Sequence, residues 1–209
     1  MLKIYGRVNS INVQKALWAA AECEVAFQQV DVGGAFGGND QPWYRKMNPN
    51  GLVPTIDDDG YVLWESHAVV RYLAATYGAD SLWPADPRQR GEADRWMDWQ
   101  QITLQPGMTA LFWGWIRTPP EQRDLAAMEA ARVATSLLWQ RLDDHLAGRQ
   151  FVMGEHLSMG DIPVGAMCHR WLNLPIERGD LPEQPHLRAW YGRLCQRPAY
   201  RTHVAVKMT

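Results

Sequence analysis

"NPNGLVPTIDDDGYVLWESHAVVRYLA", residues 48–74, decides how this chain folds. Two turn signals bracket two short apolar runs. Asn48-Pro49 ends whatever precedes it, and Asp59-Gly60 is the dipeptide of a two-residue hairpin turn. "PTIDD" and "YVLW" are then strands. The helix "SHAVVRYLAATYG" follows at once and is closed by Gly78. Glu65-Ser66 stands at the mouth of that helix, where the first N–H groups lack partners and carry partial positive charge.

Towards the N-terminus, "LKIYG" (2–6) reads as a strand, and "VAFQQVDV" (25–32) alternates like a second one. Between them "NVQKALWAAAE" (12–22) carries Val13, Ala16, Leu17 and Ala20 on one helical face. "GGAFGGND" (33–40) is a loop, and "QPWYRKM" is at most two helical turns. Residues 1–78 therefore read βαβ-α-ββα. "ADSLWPADPRQ" is polar and holds two prolines, which places a linker at 79–87. Residues 88–209 show no convincing strand. A long helix runs from 88 to about 117, with Pro106 predicting a kink or a break. A second runs from "TPPEQRD" to Gly148, a third follows "HLSMGD", a fourth spans roughly 184–196, and Pro198 opens a short last one.

Composition narrows the function. With 46% hydrophobic and 21% charged residues, the 209-residue chain has the profile of an ordinary globular protein. A formal charge of −2 gives no basis for binding nucleic acid or an anionic membrane. No apolar run approaches the ~20 residues needed to span a bilayer. "MLKIYGRVNS" enters a strand without the apolar segment of a secretion signal, so the expected location is cytoplasmic. Cys23, Cys168 and Cys195 are far apart and read as reduced thiols. The six histidines lack metal-ligand spacing, "DDD" at 57–59 is a polar turn, and no metal is expected. The glycines of 33–38 lack the Lys-Ser/Thr of a phosphate loop.

Three constellations can carry chemistry. Pro54 cannot donate to a strand ladder. If the Val53-Pro54 bond is cis, Val53 turns its main-chain N–H and C=O outward to receive an extended peptide; a trans turn is the plainer reading. Ser66 and the helix start suit a carboxylate and Glu65 suits an ammonium, which together match an α-amino acid head; helix capping is the alternative. Ser10 lies at the junction of the first strand and helix, with Asn12 two positions on. Its hydroxyl either caps the helix or donates to an anion, including a thiolate. Ser158-x-x-Asp161 has the spacing of a capping box and is read as structural.

Taken together, "NPNGLVPTI", "WES" and "SMGD" resemble the cytosolic glutathione transferases over essentially the whole chain, in particular bacterial serine-type members of the theta and nu kind. That resemblance implies an α/β thioredoxin-like N-terminal domain (1–78), a linker (79–87) and an all-α helical-bundle C-terminal domain (88–209). It implies glutathione as co-substrate, with no metal. Val53, set by Pro54, would pair with the cysteinyl unit. Ser66 would take the γ-glutamyl carboxylate and Glu65 the amine, while Ser10 and Asn12 would approach the sulfur. Relatives carry a basic residue before Val-Pro for the glycyl carboxylate. Here Gly51-Leu52 stand in that place, and Asn39 is the expected substitute. Met108, Phe112 and Trp115, at i, i+4 and i+7, are expected to wall an apolar pocket for a small hydrophobic electrophile, or simply to pack between helices. A homodimer is implied. The activity implied is glutathione transfer; the alternatives are glutathione-dependent disulfide or peroxide reduction, and a non-catalytic binding module.

Overall fold

Alternation along β1 (Leu2–Tyr5) buries Leu2 and Ile4. In this computed structural model, which describes residues 1–79 and 81–208, β1 pairs in parallel with β2 (Phe27–Val30). It pairs antiparallel with β3 (Thr55–Asp58), and β3 pairs antiparallel with β4 (Tyr61–Trp64), giving the order β2-β1-β3-β4. Asp58 lies opposite Tyr61, so Asp59 and Gly60 form a two-residue turn at φ 49° and 96°. That is the turn whose twist suits a hairpin.

The parallel step from β1 to β2 needs a crossover, which α1 (Ile11–Glu22) supplies. Val13, Ala16, Leu17 and Ala20 are buried, as their period requires. Gln14, Lys15, Trp18 and Ala19 are buried as well. The extra burial has a cause the period cannot show: α1 packs against β1, α3 (Ser66–Tyr77) and the final helix α9 (Pro198–His203). Trp18 meets Tyr200 edge to face, with ring centroids 4.8 Å apart. A short helix α2 (Pro42–Met47) precedes β3, and the order βαβαββα is that of a thioredoxin-like domain. Gly78 ends α3 at φ −111°, outside the left-handed conformation. A Cβ there would lie 2.9 Å from Cys23 Sγ, so close packing accounts for the glycine.

Contacts divide the chain into two units, Met1–Arg90 with Pro198–Val206, and Gly91–Arg197. The first unit thus reaches past 88 to Arg90, and it also regains the last helix. Tyr200, fully buried against Trp18, ties the last helix to the first unit.

Helices make up the second unit: α4 (Pro87–Trp99, whose first turn belongs to the first unit), α5 (Gln105–Phe112), α6 (Leu125–Leu146), α7 (Asp161–Asn173) and α8 (Pro185–Gln196). The kink expected at Pro106 takes the form of a widened turn over Gln100–Leu104, where Gln105 N–H donates to Gln100 C=O five residues back. Pro106 brings no N–H, and a widened turn absorbs that loss without ending the helix. A second such turn spans Trp113–Arg117, with Thr118 N–H donating to Trp113 C=O at 2.8 Å. α6 starts later than "TPPEQRD" suggested, capped by Asp124, whose Oδ1 accepts from Ala127 N–H at 2.9 Å. Trp139 and Trp171 stack in the core at 6.1 Å, and Trp190 is fully buried.

The Ser158–Asp161 pair is structural, with richer geometry than a reciprocal box. Asp161, fully buried, accepts from Val152 N–H, Ser158 N–H, Ser158 Oγ and Trp190 Nε1, all at 2.8–3.1 Å. Burial still pushes its carboxyl up to about 6. The three cysteines are unpaired by disulfides, as read from the sequence. Among the described residues, no helix is long and apolar enough to cross a membrane.

Candidate functional site

The loop 48–54 is shaped by buried side chains. Asn48 donates through Nδ2 to Leu52 C=O (2.9 Å) and Thr55 Oγ1 (3.1 Å), and its Oδ1 accepts from Asn50 N–H (3.1 Å). The Tyr44 hydroxyl donates to the same Leu52 carbonyl at 2.7 Å. Burial holds that phenol above its usual range, so it stays a neutral hydroxyl. This scaffold delivers Val53-Pro54 with a cis bond to the start of β3. Among the described residues, no main-chain hydrogen bond occupies Val53.

Val53 and Pro54 line a cavity of about 230 Å³ together with Ser10, Asn12, Glu65 and Ser66. Six residues from three separate stretches thus meet at one place, and all of them belong to the first unit. Arg7, Asn48 and Leu52 complete the wall.

The capping readings of Ser10 and Glu65 fail on geometry. Ser10 stands at the start of α1, yet its side chain makes no capping bond. Glu65 stands at the start of α3, also without one. Its backbone takes φ 72° and ψ 113°, a region that costs a residue with a Cβ about 1–3 kcal/mol. Ser66, 8% exposed, places its Oγ 3.4 Å from Asn12 Oδ1. The cavity therefore presents two hydroxyls, a carboxylate, an unpaired main-chain segment and two helix N-termini.

Arg7 was not singled out from the sequence. Its guanidinium runs across Gly33 and Gly34: a Cβ on Gly34 would lie 2.8 Å from Arg7 Cδ and 2.9 Å from Nε. Gly34, at φ 60°, leaves room for the arginine. The Cβ position of Gly33 lies 3.6 Å from Arg7 Nη1 and 3.4 Å from Val53 Cγ1, so the cation and Val53 both flank Gly33. A cation just after β1, in "YGRVNS", was the signal available in the sequence. Asn39, the expected substitute, does not line the cavity; its Nδ2 donates to Gly51 C=O at 2.8 Å.

Met108, Phe112 and Trp115 belong to the second unit. Met108 and Phe112 are buried, with the Arg170 guanidinium 3.9 Å over the Phe112 ring. Trp115 lies in the widened turn after Phe112, half-buried, with Arg123 5.1 Å over its ring.

Comparison with known proteins shows the family. Residues 1–75 match the glutathione S-transferase N-terminal domain and residues 125–193 its C-terminal domain. The chain is 39% identical to Glutathione S-transferase GstB of Escherichia coli, over the full length of both. The chain belongs to the glutathione S-transferase family. A theta class glutathione S-transferase of the citrus canker pathogen Xanthomonas axonopodis pv. citri, solved with glutathione bound, is 50% identical, with a TM-score of 0.94 over 100% of this chain and 99% of that one. Glutathione transferase F2 of Populus trichocarpa, at 21% identity and a TM-score of 0.87, shares the fold.

Proposed function

We propose that this protein is a glutathione transferase that ionises the thiol of glutathione and directs it at a small hydrophobic electrophile. The observation that carries the reading is the pair of helix starts whose side chains do no capping and instead border one cavity. Ser66 and the N-terminus of α3 take the γ-glutamyl carboxylate, and the Glu65 carboxylate takes the amine. The cysteinyl unit lies along Val53 as an added strand. Arg7, in place of Asn39, takes the glycyl carboxylate. A guanidinium suits a carboxylate, whereas the Asn39 amide is committed to Gly51.

The chemistry follows from charge. Glutathione's thiol, like a free cysteine, has a pKa near ~8.5 and is little ionised at neutral pH. Hydrogen bonds from Ser10 Oγ and the Asn12 amide favour the thiolate, assisted by the N-terminus of α1. A fall of about two units needs ~2.7 kcal/mol, which one or two charge-assisted bonds supply. The thiolate then attacks the electrophilic carbon and displaces the leaving group. Cys23 and Cys168 are poorly suited to that task, since burial pushes the Cys23 thiol up to about 11 and the Cys168 thiol well above its ordinary value.

Function as a two-fold homodimer is part of the same proposal. Exposed Phe36, Trp43 and Leu52 on the first unit offer apolar surface for association. Light scattering tests the mass. The activity is tested by ultraviolet titration of the bound thiol together with turnover of a chloronitroarene. A lowered pKa with conjugation supports the reading. Turnover of a model disulfide without conjugation would replace it with glutathione-dependent reduction, and failure of glutathione to bind would leave only a binding module.

A further inference from the structure

Lys15 is a buried cation that the reaction above does not use. It lies on α1 at 1% exposure, with Nζ 3.1 Å from Asn12 Oδ1 and 3.1 Å from His67 Nε2. Taking an ammonium out of water is unfavourable, so helix packing alone would favour leucine or methionine here.

The hydrogen-bond chemistry is one-directional. An ammonium donates and never accepts, so both partners must turn acceptor atoms towards it. The Asn12 amide oxygen therefore faces Lys15, and the Ser66 hydroxyl approaches the same oxygen at 3.4 Å. With Oδ1 held by Lys15 whether or not Ser66 turns to a ligand, the NH₂ of Asn12 is turned away from Lys15, and Asn12 lines the cavity beside Ser10. His67, from α3, turns Nε2 towards the ammonium and accepts from it.

We propose that Lys15 is a positioning residue that locks the Asn12 amide with its N–H donors facing the glutathione sulfur. Unlocked, that amide is free to rotate and present its oxygen, whose partial negative charge would oppose the thiolate. Arg7 and Glu65 also border the cavity and act on the ligand directly; Lys15 acts through Asn12. The inference rests on the glutathione reading above.

The test is ultraviolet titration of bound glutathione in the wild type, Lys15→Met, Asn12→Ala and the double variant, with Kd measured in parallel. Lys15→Met is expected to raise the bound thiol's pKa by about one unit while Kd changes less than about threefold. Asn12→Ala should give a similar rise, and the double variant no more than the larger single effect, because both act through one amide. Lys15→Gln keeps a donor without the charge. It gives a smaller rise in the same direction, and serves as the test if the methionine variant does not fold. A wild-type thiol left near ~8.5 removes the glutathione reading itself. A lowered wild-type value that neither lysine variant changes, or rises that simply add in the double variant, overturns the role of Lys15.

Discussion

Replacing Arg7 with glutamine should remove discrimination at one end of glutathione and leave the other end intact. Arg7 is half-buried, lines the cavity and flanks Gly33 as Val53 does, while Ser66 approaches Asn12. An extended tripeptide along Val53 with its γ-glutamyl head at Ser66 brings its glycyl carboxylate to Arg7. A hydrogen bond between charged groups contributes about 1.5–3 kcal/mol, and partial exposure favours the lower half of that range. At ~1.4 kcal/mol per tenfold, the wild type should bind glutathione about 10- to 30-fold more tightly than glutathione amide, its neutral isostere. In Arg7→Gln that ratio should fall close to one, with affinity for the amide nearly unchanged. Isothermal titration calorimetry with both ligands reads the four constants directly. Asn39→Ala serves as the contrast: it should preserve the ratio, because its amide is held by Gly51. An undiminished ratio in Arg7→Gln, with glutathione still bound, refutes the assignment.

Ser10→Ala should lower kcat for conjugation at least about 100-fold while weakening glutathione binding only a few-fold; equal losses would reduce Ser10 to a ligand anchor. Glu65→Gly relieves the backbone at φ 72° and removes the carboxylate. Thermal melts should show a gain of about 1 kcal/mol or more in stability, and calorimetry a loss of glutathione affinity. Asp161→Ala strands Val152 N–H, Ser158 N–H and Trp190 Nε1, each costing about 1–3 kcal/mol when left unsatisfied, so denaturant melts should show severe destabilisation. Burial lowers His145 and His203 from their ordinary 6.5. Their stability contribution is present above that value and is lost as pH falls through the lower folded values, because the unfolded chain then binds more protons. Melting temperature should fall on acidification below about 6.5, and less steeply in His203→Gln.

What can be read from a sequence is what neighbours in the chain decide. Asp59-Gly60 adopts positive φ at both positions, and no distant contact is needed to foresee the hairpin. The buried face of α1 follows from spacing, and Ser158 and Asp161 were readable as a structural pair three residues apart. Glu65, Ser66 and Ser10 each carried two readings, because a residue at a helix start can serve the helix or a ligand, and Val53-Pro54 carried two more, cis or trans. The structure supplies what the sequence lacked: no capping bonds from Ser10 and Glu65, a cis Val53-Pro54 bond, and one cavity that all of them line.

Arg7 and Lys15 show where neighbour rules end. Lys15 falls at an unremarkable helical position, and its partner His67 is 52 residues away. Arg7 depends on Gly33 and Gly34 lying beneath it. The widened turn that holds Trp115 was not foreseen, and the last helix joined the first unit because Tyr200 found Trp18. The order of elements, the turns and the caps came from local backbone preference and apolar period. Which polar side chains were buried, and towards what, was decided by packing in three dimensions, because the desolvation of a charged or polar group depends on whichever atoms the fold brings within hydrogen-bonding distance.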